Sequence, residues 1–143
     1  MYDRILLPTD GSEGTTKPVE HAIEMARRYD ADIDALAVID ERQFEGLADD
    51  QFEETQRALR ENCRRAVDTV ASLASEHGIT VRSAIETGVP SQAILSYADD
   101  HPVDAIAMGT HGQTDNEPIG AVGSVTQRVV ENARVPVLVL HID

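Results

Sequence analysis

Gly109-Thr110-His111-Gly112, followed after ten intervening residues by Gly123-Ser124, is the part of this sequence best suited to chemistry. An apolar run, Ala105 to Met108, leads into it, and Val125, Val129, Val130 and Ala133 follow at helical spacing. The pattern is strand, glycine loop, helix. Glycines let the backbone turn sharply and approach a ligand closely, and the unpaired N–H groups that open a helix attract phosphate oxygens. The segment is therefore read as a nucleotide site. Ser124 is placed to cap the last helix, a role compatible with touching phosphate. A second turn, Thr9-Asp10-Gly11-Ser12, follows the first apolar run, and Asp10 reads as a turn residue or a ligand contact.

Other chemistries lack their residues. No glycine-rich stretch ends in Gly-Lys-Ser or Gly-Lys-Thr, and no Gly-x-Ser-x-Gly elbow is present, which excludes a P-loop hydrolase and a serine hydrolase of that type. His111 has no evident carboxylate partner and reads as an orienting side chain rather than a base. His21, His77, His101 and His141 are scattered singly without metal-ligand spacing, so no catalytic residue and no protein metal site is assigned. Cys63, the one cysteine, excludes an internal disulfide and falls in a helical pattern as a small core residue.

The elements that must position the loop alternate in type. Tyr2–Thr9, with Ile5, Leu6 and Leu7 in a row, reads as a strand buried on both faces. Val19, Ala22, Ile23 and Ala26 mark a helix, and Ile33 to Ile39 a second strand. A long helix is expected from Gln51 to His77, stopped by Gly78. Ile79 to Ile85 then alternates as a strand, Gly88-Val89-Pro90 turns, and a short helix runs to Asp99-Asp100. Ala105–Met108 is the fourth strand, Val125 to Ala133 the last helix, and Val135–Ile142 the fifth strand. Five alternations require right-handed crossovers, and so a doubly wound α/β fold with a five-stranded parallel sheet and helices on both faces. Placing strands one and four side by side gives the order 3-2-1-4-5 and turns Asp10 and the glycine loop toward one crevice, where such sheets bind ligands.

The 143 residues fit a single domain, 1–143, that buries roughly two thirds of the surface its unfolded chain exposes. With 3% aromatic residues its core must be aliphatic, and base stacking on rings is not expected. The net charge of −14, with Lys17 the sole lysine, excludes nucleic acid as a natural partner. It also suits a surface kept soluble in concentrated salt, the mark of a halophilic source. No charged-then-apolar leader precedes the first strand, and no apolar run approaches the ~20 residues that span a bilayer. A soluble, cytoplasmic protein without membrane association is expected.

The chain also resembles the universal stress proteins, over essentially its whole length. The resemblance lies in Arg4-Ile5-Leu6-Leu7-Pro8-Thr9-Asp10-Gly11-Ser12, Met108-Gly109-Thr110-His111-Gly112, Gly123-Ser124-Val125 and Val135-Pro136-Val137-Leu138-Val139. It implies an adenine nucleotide alpha hydrolase-like fold and a regulatory, non-enzymatic protein that binds ATP or another adenine nucleotide. Pro8, Thr9, Asp10 and Val38 would frame adenosine. Met108, Gly109, Gly112, Gly123, Ser124 and Val125 would line ribose and phosphates, with His111 beside them. The resemblance further implies a homodimer through the strand Val135–Ile142, whose apolar edge invites pairing. The loop after Gly112 is one residue longer than the family's usual spacing, and it carries Gln113, Asp115 and Glu117 where a basic residue is common. Mg²⁺ and salt are therefore expected to accompany ATP, screening like charges. The rival readings are a nucleotide-free dimeric interaction module and a slow ATP hydrolase.

Overall fold

The computed structural model describes residues 2–10, 16–110 and 123–141. The elements run β1 (Arg4–Pro8), α1 (Thr16–Tyr29), β2 (Asp32–Asp40), a 3₁₀ turn (Glu41–Phe44), α2 (Asp49–Ser75), β3 (Val81–Gly88), α3 (Pro90–Asp100), β4 (Ala105–Gly109), α4 (Ser124–Asn132) and β5 (Val137–Leu140). The sheet is parallel in the order β3-β2-β1-β4-β5. The expected winding, 3-2-1-4-5, is the one found.

The aliphatic runs explain the layers. Ile5, Leu6 and Leu7 are all fully buried because alternate residues enter opposite cores. Ile5, Leu7, Ile33, Ala35 and Ala37 pack with Val19, Ala22 and Ile23 of α1 and Val67 and Val70 of α2. Leu6, Leu36, Ile106 and Met108 pack with Ile94 and Tyr97 of α3 and Val129 of α4. Cys63 packs at the margin of the first core, where burial pushes its thiol pKa up despite the opposing pull of Arg60; a structural cysteine fits that setting.

Helix ends set the strand boundaries. Gly78, at φ +71°, donates its N–H to Ser75 O at 3.1 Å, and Ile79 donates to Ala74 O at 3.1 Å. This Schellman arrangement closes α2 and draws Ile79 into the turn, so β3 begins at Val81 rather than at the expected Ile79. The same 6→1 bond closes α1, from Ala31 N–H to Ala26 O at 2.8 Å, but there Asp30 takes the left-handed conformation at φ +55°. Asp30→Gly is expected to raise stability by up to ~1 kcal/mol, read as a shift in the urea midpoint, because glycine occupies that region without the Cβ clash. At the other boundary, the fifth strand starts after Pro136 and is shorter than the expected Val135–Ile142, of which Ile142 lies outside the described residues.

One polar cluster interrupts the aliphatic interior. Asp34, on β2, is fully buried and accepts hydrogen bonds from Arg4 Nε at 3.0 Å, from Arg4 Nη2, and from the Tyr97 hydroxyl at 2.6 Å. Arg82 of β3 lies 3.8 Å from the same carboxylate and pairs with Asp32 at 2.9 Å. The cluster thus ties β1, β2, β3 and α3 together. Burial, and then the bond to Asp34, push the Tyr97 pKa up to about 12, so its hydroxyl keeps its proton and donates.

Candidate functional site

The winding of the sheet reverses between β1 and β4, which the parallel register Ile5↔Ala105 and Leu6↔Ile106 holds side by side, and the crevice expected of such a sheet opens at their carboxyl ends. Each strand is carried one residue further by a backbone bond. Thr9 N–H donates to Leu36 O at 2.9 Å, and Thr110 N–H donates to Leu140 O at 3.0 Å. Both threonines are buried, at 7% and 2% exposure, and they define where the chain leaves the sheet on either side of the cleft.

Helix α4 starts at this same place. Gly123 donates its N–H to Thr110 O at 2.7 Å, and Thr126 Oγ1 donates to Gly109 O at 2.8 Å. These two bonds fasten the first turn of α4 to the end of β4. Gln127 N–H makes the first bond of the helical ladder, to Gly123 O at 2.9 Å, so the N–H groups of Ser124, Val125 and Thr126 stand outside that ladder. Ser124 was expected as the cap; Gly123 takes the cap position, no side chain caps the helix, and Ser124 is its exposed first residue. An anion approaching from the cleft meets backbone N–H groups and the positive end of the helix.

The residues singled out from the sequence fall into three groups. Met108, Val38 and Val125 pack on the same side of the sheet, against the α3–α4 core, and Pro8 alternates onto that side with Leu6. They form an aliphatic wall beside the α4 terminus, with Gly109 and Gly123 at its rim. Thr9 is buried between the strand ends, and Asp10, the next residue, is exposed. His111 and Gly112 lie outside the described residues.

Arginine near the strand ends is not automatically free to meet an anion. Arg42 follows the end of β2, yet its guanidinium grips Asp40 through Nε at 2.9 Å and Nη2 at 2.5 Å, which holds the Asp40 pKa below its ordinary value. Among the described residues no three His, Cys, Asp or Glu side chains come together as a metal site. Nor is any helix among them long and apolar enough to cross a membrane.

Sequence reasoning missed the Asp34 cluster. The signal was present: an aspartate between Ile33 and Ala35 in an otherwise apolar strand requires a partner if it is buried, and Arg4 opens the neighbouring strand.

Comparison with known proteins agrees with this architecture. Residues 1–141 match the Universal stress protein family. Universal stress protein MJ0531 of Methanocaldococcus jannaschii is 38% identical over 141 residues, covering 98% of this chain and 82% of that protein. The solved structure of MJ0577 from the same organism superposes with a TM-score of 0.88 at 31% identity, covering 100% of this chain and 98% of that one. A universal stress protein solved in complex with cAMP shares the fold at a TM-score of 0.75 and 21% identity, covering 99% of each chain.

Proposed function

The chain belongs to the universal stress protein family, and from that premise we propose that it is a cytoplasmic, single-domain regulatory protein that binds an adenine nucleotide, foremost ATP. The observation that carries the reading is the set of three N–H groups, on Ser124, Val125 and Thr126, that opens α4 beside the ends of β1 and β4. Phosphates would lie on that terminus, and the base would lie toward the aliphatic wall of Pro8, Val38 and Met108. A universal stress protein of the same fold has been solved in complex with cAMP, which supports an adenine nucleotide as the class of ligand.

The charge of the protein bears on how a nucleotide is held. At −14 overall it repels a triphosphate, and two unit charges ~4 Å apart repel by ~4 kcal/mol at an intermediate dielectric. Backbone N–H groups counter this best when Mg²⁺ neutralises part of the ligand and salt screens the rest. Calorimetric titration with ATP is expected to give saturable binding in Mg²⁺ that weakens little in molar KCl. Denaturing extraction of protein purified in high salt should also release an adenine nucleotide. Absence of both would leave the nucleotide-free interaction module as the better account.

The second proposal is a homodimer through β5. Val137–Leu140 is an uncharged edge strand, and Leu138 is 37% exposed, so pairing with a twin strand would remove both the open edge and the apolar surface. Leu138→Lys is expected to shift the protein from dimer to monomer in sedimentation equilibrium. A monomeric parent protein would refute the pairing.

A further inference from the structure

The opposite edge of the sheet carries a different kind of surface. Among the described residues β3 pairs only with β2, along its full length from Val81 to Gly88. Ile33 donates its N–H to Thr80 O at 3.0 Å, which fixes the alternation of the parallel ladder. Thr80, Arg82, Ala84 and Glu86 turn their backbone groups toward β2. Val81, Ser83, Ile85 and Thr87 therefore turn theirs outward, a row of donors and acceptors with no strand beside it.

Next to this row is a groove of about 330 Å³ between β3, the start of the 3₁₀ turn and one flank of α3. Its size is that of a binding cleft rather than a surface ripple. Glu41, Glu86 and Asp100 line it, none of them in an ion pair among the described residues, together with the Tyr97–His101 stack, and neither lysine nor arginine contributes. Arg82, the one cation on β3, is already held by Asp32 and Asp34.

We propose that this groove and the open edge of β3 together dock an extended, basic segment of a partner protein, added to the sheet as a sixth strand. An edge strand beside a helix-lined groove is the arrangement that captures peptides by strand addition, with backbone bonds for affinity and side-chain pockets for selectivity. Charge complementarity identifies the occupant. Alternate side chains of an added strand enter the groove, and arginine or lysine there meets Glu86 in the middle with Glu41 and Asp100 toward the two ends. A second copy of this chain is disfavoured at this edge, since it would bring the same carboxylates face to face. The surface is distinct from the crevice at α4 and does not depend on a nucleotide.

The test uses a fluorescent, capped eight-residue peptide of alternating arginine and valine, titrated into the full-length protein at the lowest salt that preserves its folded circular dichroism. Saturable binding is expected, with amide shifts in NMR confined to residues 81–101 and the 3₁₀ turn at 41–44, and slowed hydrogen exchange at Ser83, Ile85 and Thr87. Glu86→Lys and Asp100→Lys should each weaken binding at least tenfold. Ser83→Pro should do the same, because proline there removes an outward donor and spares the ladder to β2. A peptide N-methylated at alternate amides keeps its charge but should lose binding at least tenfold, a control that requires no change to the protein. Equal affinity for the parent and N-methylated peptides, or shifts spread over the whole acidic surface, would show attraction by net charge alone and overturn the proposal.

Discussion

Replacing Asp34 by alanine is expected to remove about 3–5 kcal/mol of stability, the loss typical when one partner of a buried ion pair is deleted. The carboxylate is fully buried and receives both the Arg4 guanidinium and the Tyr97 hydroxyl, so its removal leaves a part-buried cation and a buried hydroxyl without their acceptor. A loss of that size is a large share of the ~5–15 kcal/mol that holds a domain together. Urea denaturation followed by circular dichroism measures it. A second protein separates the contribution of the pair from the penalty of orphaning its members: Arg4→Met, Asp34→Leu and Tyr97→Phe together should recover most of the stability, since apolar groups replace the cluster without stranding a charge. A loss under ~1 kcal/mol for Asp34→Ala would show the cluster to be solvated in solution.

The same cluster gives the stability a defined response to alkali. The Tyr97 pKa rises from its ordinary value of 10 to about 12, with burial the main cause and the bond to the Asp34 carboxylate the second. The folded state therefore holds the proton more tightly than the unfolded chain. This contribution is complete below pH ~10 and is lost as pH climbs through ~12. Tyr97→Phe should flatten that limb of the pH–stability profile.

Ser124→Glu is expected to weaken ATP binding by roughly a hundredfold, about 2.7 kcal/mol, while leaving the fold as stable as before or more so. The opposite signs make the experiment informative. A carboxylate in the first turn of a helix interacts favourably with the helix dipole by about 0.3–1 kcal/mol, and the exposed Ser124 side chain caps nothing that the change would lose. The same carboxylate would occupy the position proposed for phosphate and repel it. Ser124→Gln, of equal size and no charge, should retain most of the affinity. Unchanged ATP affinity in Ser124→Glu would move the phosphates away from α4.

Much of the architecture was legible because its signals are local. Ile5-Leu6-Leu7 and Ile33 to Ile39 announce strands covered on both sides, and Gly78 announces the end of α2. The strand order followed from where the turn residues gather, and the hydrogen-bonded register agrees with it. What escaped notice depends on partners far apart in the chain. Asp34 and Tyr97 are 63 residues apart, so the bond between them has no local trace beyond a charge in an apolar run. The start of β3 was misplaced because apolar periodicity cannot distinguish Ile79 closing a helix from Ile79 opening a strand. Of the proposed nucleotide residues, Val38, Met108 and Val125 pack on one side of the sheet and Pro8 alternates onto it, Thr9 is buried and Asp10 exposed at the end of β1, and His111 and Gly112 lie outside the described residues.

The bond from Gly123 N–H to Thr110 O has a consequence for how the family's sites can diversify. It joins the two residues that flank positions 111–122, so a change in the length of chain between them need not be felt by the sheet. Lengthening such a closed segment by one residue adds only ~0.1 kcal/mol of closure entropy. A residue gained or lost between these two anchor points is therefore nearly neutral for folding, and the scaffold stays constant while the segment between them varies.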